Sequence, residues 1–187
     1  NTLQPTAGIG YIKVTEQMGT LSASDKQELK IQKTSMGTSW GAVYAEYDQD
    51  IKDVSQQSTQ LSVTRQLIDA DGKVVTTDKF KVGDKLRVRI TLKADRDYDF
   101  VEVVDKRPAC LEPVDQMSGF NWQYYYSPGD YTTNYYFDCL SKGTHVIETE
   151  YYIDREGAYM SGICTARCTY SPEFSGRDKA IKLNNEK

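Results

Sequence analysis

Between residues 81 and 110, Leu86, Val88, Ile90 and Leu92 alternate strictly with Arg87, Arg89, Thr91 and Lys93. A period of two puts the aliphatic side chains on one face of an extended chain and the polar ones on the other, so this stretch is a half-buried β-strand. A polar turn at residues 94–97 leads into a second β-prone run, residues 98–104, of similar length. The two runs read as an antiparallel hairpin with one face in a core.

The same design recurs along the chain. Leu61, Val63 and Leu67 alternate with polar neighbours, Asp71-Gly72 signals a turn, and residues 73–80 follow. Val82-Gly83-Asp84 is another turn. Past Cys110 the alternation lapses, and residues 119–129 read as a long, aromatic, turn-rich loop. Strand character resumes at residues 134–140, Ser141-Lys142-Gly143 turns, and residues 144–153 form a clean strand. A last strand covers residues 160–170, and the tail alternates weakly through Ile181 and Leu183. Seven or more short strands at regular spacing, without a helical pattern, predict an all-β protein built as an antiparallel β-sandwich.

The first 58 residues differ in texture. Short strand candidates at residues 8–14, 29–31 and 40–47 are separated by Ser, Thr, Gln and Gly. Three strands are few for an independent unit and need another sheet to cover their apolar face. Residues 48–60 are polar, with Ile51 and Val54 at helical spacing, and read as a linker or one or two helical turns. The domain boundary is placed there, giving a segment at 1–58 and a sandwich at 59–187.

At 187 residues the chain can bury roughly 70% of its unfolded surface, enough for one good core or two small ones. Its 14 tyrosines are many for this length and suit a β protein. A net charge of -4 without a basic stripe leaves no electrostatic footprint for nucleic acid or an anionic membrane. No run approaches the roughly 18 apolar residues of a membrane span, and no signal sequence opens the chain. Beginning at Asn1 without Met, it reads as processed or as a piece of something longer.

Four cysteines, Cys110, Cys139, Cys164 and Cys168, mildly favour an oxidising compartment and allow three full disulfide pairings. On one extended strand Cys164 and Cys168 would lie about 13 Å apart, beyond disulfide reach, so pairing across strands is the better geometry. Four free, buried thiols acting as small hydrophobes is the equal alternative.

No constellation carries chemistry. Asp95, Asp97 and Asp99 resemble the opening of a calcium loop, but Phe100 stands where the sharp turn needs Gly and Lys106 where a bidentate Glu is required. His145, the single histidine, has no second ligand at metal spacing and no nucleophile elbow to serve. Cys110-Leu111-Glu112-Pro113 is a near miss of the Cys-x-Glu-Gln thioester motif, and Pro113 has no carboxamide to supply the acyl carbon. Catalytic residues, metal ligands and cofactors are therefore none. The candidate interface is Trp122, Tyr124, Tyr125 and Tyr126, whose large amphipathic rings serve equally to cap their own sandwich or to meet a partner. Packing within the chain or against a neighbouring domain is the leading use.

Gly-Tyr-Ile-Lys at 10–13, Trp-Gly-Ala-Val-Tyr-Ala at 40–45, Val-Gly-Asp-Lys at 82–85 and Ala-Asp-Arg-Asp-Tyr-Asp-Phe-Val at 94–101 stand in order along the chain. They are followed by Leu-Glu-Pro-Val at 111–114, Ser-Gly-Phe-Asn-Trp at 118–122, Lys-Gly-Thr-His at 142–145 and Tyr-Ser-Pro-Glu-Phe at 170–174. Together these segments resemble the C-terminal end of bacterial alpha-2-macroglobulin-like proteins. The resemblance implies that residues 1–58 are the C-terminal half of a CUB-like β domain plus linker. Residues 59–187 are then the terminal macroglobulin domain, MG10, the sandwich corresponding to the receptor-binding domain of animal relatives.

The family's proposed activity is protease trapping, with a bait region and, in some members, a thioester, both outside the terminal domain. The resemblance thus implies a non-enzymatic domain that packs on upstream domains of the same parent chain and holds the resting conformation. Target proteases are met through the parent. It further implies an extracytoplasmic site, in the periplasm or at the outer membrane or cell surface. The alternative is a free-standing adhesive or carbohydrate-binding sandwich using the aromatic loop. An isolated fragment is expected to expose strand edges through which it can dimerise.

Overall fold

Alternation becomes layered structure when two sheets turn their apolar faces toward each other. The computed structural model describes residues 12–15, 30–34 and 36–187. The chain falls into two units, Asn1–Ala45 and Glu46–Lys187. In the first, the described residues form no strand and are exposed. Residues 8–11 and Leu29, parts of two expected strands, lie outside the described residues. The strand expected at residues 40–47 is not formed, and Trp40 is 93% exposed. A β-run needs a hydrogen-bonded neighbour and an apolar surface beneath it, and no described strand pairs with this one.

The second unit opens with a single 3-10 turn, Ile51–Asp53, the brief helical element that the Ile51/Val54 spacing predicts. Its first seven strands are β1 (Gln57–Ser58), β2 (Leu61–Ile68), β3 (Lys79–Lys81), β4 (Lys85–Ala94), β5 (Tyr98–Lys106), β6 (Leu111–Pro113) and β7 (Gly119–Asn121). The remainder are β8 (Tyr124–Pro128), β9 (Thr132–Leu140), β10 (Gly143–Ile153), β11 (Gly157–Met160), β12 (Cys164–Cys168), β13 (Ser175–Asp178) and β14 (Lys182–Glu186).

Among the described residues they form three sheets. One has the order β2-β4-β10-β6, a larger one β1-β13-β12-β5-β9-β8-β7, and a small one β11-β14-β3. Pairing is antiparallel throughout the first two, whereas β14 and β3 run parallel. The fold is an all-β sandwich. Residues 55–59 belong to it: β1 pairs with β13, and Ser55 O accepts a hydrogen bond from Arg177 Nε at 3.2 Å.

One expectation needs correcting at the centre of the fold. β4 and β5 are not a hairpin: β4 pairs with β2 and β10, while β5 pairs with β9 and β12. Residues 95–97 therefore carry the chain from one sheet to the other. Leu86, Val88, Ile90 and Leu92 then face Val101, Val103, Tyr135 and Phe137 across the core, all buried. Each such aliphatic side chain contributes about 1.5–3 kcal/mol through removal from water. An arch buries two apolar faces against each other, whereas a hairpin would have laid them side by side.

The alternation of β5 changes phase at Phe100, whose φ of 54° is left-handed and whose ring is exposed. This single residue lets Tyr98 and Val101, an odd number of positions apart, both turn inward. Tight turns elsewhere use glycine, as at Gly72 and Gly83, with φ of 83° and 94°.

Two polar groups also face inward. Arg65 is in phase with Leu61, Val63 and Leu67 on β2, and Asp105 is in phase with Val101 and Val103 on β5. They form a buried ion pair between the sheets. Arg65 Nη2 donates to Ser161 Oγ at 2.7 Å, Gly162 O at 2.8 Å and Lys179 O at 3.0 Å. Burial pushes the Asp105 carboxyl up, and the adjacent guanidinium opposes it. Nearby, the Tyr135 hydroxyl pairs with Thr149 Oγ1 at 2.6 Å and that of Tyr151 with Thr133 Oγ1 at 2.8 Å. Each bond joins β9 of one sheet to β10 of the other, so neither buried phenol is left unpaired.

Candidate interaction surface

Residues 119–129 are a β-hairpin rather than the expected loop. β7 pairs with β8 in the register Phe120 opposite Tyr125 and Asn121 opposite Tyr124, leaving Trp122 and Gln123 as a two-residue turn. Aromatic residues suit a pleated, half-buried surface, and here alternation gives them two destinations. Tyr124 packs edge-on to Tyr135 with ring centroids 5.5 Å apart and lies 5.4 Å from Phe137. Tyr126 lies 5.8 Å from Tyr135, and its hydroxyl donates to Asp115 O at 2.7 Å. Burial pushes the Tyr126 phenol up to about 12, with the Asp115 charge adding to the shift. Tyr124 and Tyr126 thus close the end of their own core.

Trp122 and Tyr125 point elsewhere. Trp122 is 99% exposed at the turn, and Tyr125 sits opposite Phe120 on one side and Tyr136 on the other. Phe120, Tyr125 and Tyr136 are 72%, 41% and 40% exposed. They make a cross-strand row on the outer face of the seven-stranded sheet. Next in the row, Glu102 opposite Tyr136 is held by Arg167 at 2.9 Å. Phe120 and Tyr136 were not among the sequence candidates, because a row across strands is visible only once the register is known.

The remaining candidates are dispersed. All four cysteines are free thiols, with Cys110, Cys164 and Cys168 buried and Cys139 exposed. Burial raises the Cys110 and Cys168 thiols and pushes Cys164 well up, where the Asp105 charge adds to it. None of the three is activated as a nucleophile. Asp95 accepts from Arg96 and from the Tyr98 hydroxyl, Asp97 accepts from the Lys142 amide at 2.7 Å, and Asp99 lies opposite Cys139. His145 Nε2 is 2.8 Å from Ser141 O. Among the described residues no three His, Cys, Asp or Glu side chains are grouped to hold a metal ion.

Arg107 is a further inward cation, placed near the hairpin. Its Nε donates to Leu111 O at 2.9 Å, Nη1 to Thr132 O at 2.7 Å, and Nη2 to Gly129 O at 2.6 Å and Asp130 O at 2.9 Å. The guanidinium ties the start of β6 to the β8–β9 turn by bonding carbonyls of both. It anchors the aromatic hairpin to the body of the sandwich.

Several solved structures share this fold. Salmonella alpha-2-macroglobulin reacted with methylamine aligns over 72% of this chain at 19% identity, with a TM-score of 0.64. Escherichia coli alpha-2-macroglobulin activated by porcine elastase aligns over 72% at 18% identity, with a TM-score of 0.65. Native E. coli alpha-2-macroglobulin from domain MG7 to the C-terminus aligns over 71% at 18% identity, with a TM-score of 0.59. The aligned region spans 10%, 14% and 24% of those chains, respectively. No curated protein sequence matches this chain. The sequence profile of the bacterial alpha-2-macroglobulin MG10 domain matches residues 61–173, and the chain belongs to that family.

Proposed function

We propose that this chain is a non-catalytic terminal region of a bacterial protease trap. In this reading residues 1–58 are the end of a CUB-like domain with its linker, the last residues of which pair onto the sandwich through β1, and residues 59–187 are the MG10 sandwich. The sandwich packs on neighbouring domains of the parent and holds its resting conformation. The parent works outside the cytoplasm, in the periplasm or at the cell surface, and meets target proteases through its other domains. One observation carries the packing role: Phe120, Tyr125 and Tyr136 form an exposed aromatic row on a sandwich whose core is already closed by Tyr124 and Tyr126. Tyrosine and phenylalanine supply large contact area at low entropy cost, which suits a standing domain interface.

The test is made in the full-length parent. Phe120→Ser with Tyr125→Ser is expected to loosen the resting state, seen as faster limited proteolysis between domains and a larger radius in solution scattering. An unchanged digestion pattern and radius would remove the packing role. A second reading rests on Trp122, whose 99% exposure at a hairpin tip also suits a sugar-stacking platform. It predicts glycan binding that Trp122→Ala abolishes with little loss of stability. Flat titrations against a broad glycan panel eliminate it.

A further inference from the structure

β7 is one edge strand of the seven-stranded sheet and β6 one edge strand of the four-stranded sheet. Between the aromatic hairpin and the β6–β10 side of the sandwich lies a cleft of about 560 Å³. Val114, Met117, Phe120 and Trp122 give it an apolar lining, and Asp115 and Glu150 make it acidic. Glu148 also lines it, but Arg87 and Arg89 hold that carboxylate at 3.0 and 2.6 Å. No lysine, arginine or histidine lines the cleft.

Among the described residues the outer edge of β7 is unpaired. In a two-residue hairpin the residues closing the turn exchange hydrogen bonds, so Asn121 and Tyr124 bond each other and the next pair, Phe120 and Tyr125, does not. The Phe120 N–H and C=O therefore point away from β8. They offer one donor and one acceptor to a further strand.

We propose that this cleft receives an extended segment of another polypeptide, in which apolar side chains alternate with lysine or arginine. The segment adds to the free edge of β7 through the Phe120 backbone. Its apolar side chains cover Met117 and Trp122, and its basic side chains meet Asp115 and Glu150. Strand addition draws affinity from the main chain and specificity from alternate side chains. Three carboxylates line the cleft against two adjacent guanidiniums, Arg87 and Arg89, and this net acidity, centred on Asp115, selects a basic occupant. This site borders the outer aromatic row at Phe120, which belongs to both, but its occupancy is read at Trp122 and does not depend on the domain-packing reading.

The test uses the whole chain with Trp40→Phe, which leaves Trp122 as the sole indole. The probe is a capped heptapeptide, KVKVKVK, titrated while Trp122 emission is followed. The expected result is a saturable blue shift below about 1 mM peptide. Binding should weaken at least tenfold for EVEVEVE, for KKKKVVV, and for KVKVKVK with alternate amides N-methylated. Phe120→Pro removes the outward N–H and should abolish the shift. Should that variant fail to fold, Asp115→Lys with Glu150→Lys, both at exposed positions, should reverse the preference toward EVEVEVE. Equal binding of KKKKVVV would reveal charge alone and overturn the proposal, as would undiminished binding of the N-methylated peptide. It also falls if the same shift arises from self-association of the chain without peptide, or from a glycan.

Discussion

The two outward faces of the sandwich are built by the same alternation but end with different chemistry. On the four-stranded sheet, Lys85, Arg87, Arg89 and Lys93 of β4 stand opposite Tyr152, Glu150, Glu148 and Thr144 of β10. Arg87 and Arg89 both hold Glu148, and Lys85 lies 4.8 Å over the Tyr152 ring. That face satisfies itself and suits water. On the seven-stranded sheet, the row Phe120, Tyr125, Tyr136 ends at a single ion pair between Glu102 and Arg167. Among the described residues of this unit nothing covers its apolar area, and such patches mark interaction surfaces. On the proposed packing reading, one face meets solvent and the other a neighbouring domain.

The largest way to break the comparison is to remove what holds both sheets in register. Asp105→Ala leaves Arg65 charged and buried without its partner, and chemical denaturation is expected to show a loss of about 3–5 kcal/mol. Replacing both, Arg65→Met with Asp105→Leu, should recover most of it, because the two desolvation costs disappear together. A double variant no better than the single one would mean that the hydrogen bonds from Arg65 to Ser161, Gly162 and Lys179 matter more than the ion pair.

Within the aromatic hairpin, adjacent positions should differ sharply. Tyr124→Ala removes a ring packed on Tyr135 and Phe137 and should cost about 2–4 kcal/mol. Trp122→Ala and Tyr125→Ser remove exposed rings and should stay within about 0.5 kcal/mol of the parent chain in the same denaturation assay. Comparable losses at all three positions would mean that the outer row belongs to the core rather than to a partner.

The smallest effect is on the charged face. Hydrogen bonding from Arg89, with Arg87 beside it, holds the Glu148 carboxyl below its ordinary 4.5. A carboxylate lowered in the folded state contributes stability above its unfolded value, and that contribution is lost as pH falls through the folded value. Glu148→Gln should therefore flatten the acid limb of the stability curve below about pH 4.5, and by less at high salt. An acid limb identical to that of the parent chain would show that the clamp contributes nothing measurable.

Much of this was legible in the residues. The buried set of β4 is the alternating set of the sequence, and the inward phase of β10, Ile147, Thr149, Tyr151 and Ile153, follows the same rule. The turns at Asp71-Gly72 and Val82-Gly83-Asp84 form where glycine relieves a left-handed backbone. Arg65 and Asp105 also left a signal, since each interrupts an apolar series at an inward position. A charge at a core phase is the mark of a buried pair, but the partner lies 40 residues away and only the fold identifies it. The hairpin at residues 119–129 was missed because consecutive aromatics carry no polar alternation, and the two destinations of their rings depend on where β9 lies.

The sequence by itself determined which face of each strand is dry, because a period of two is a local property that any pairing must respect. It also determined the all-β class and the positions of the tight turns. Tertiary structure alone decided which strands are neighbours. Runs at residues 86–92 and 98–104 suit a hairpin and an arch equally well, since both arrangements bury the same alternating residues. The arch prevails because β4 gains β2 and β10 as partners while β5 gains β9 and β12. The apolar faces of β4 and β5 can then meet across one core, and that choice rests on contacts distant in sequence.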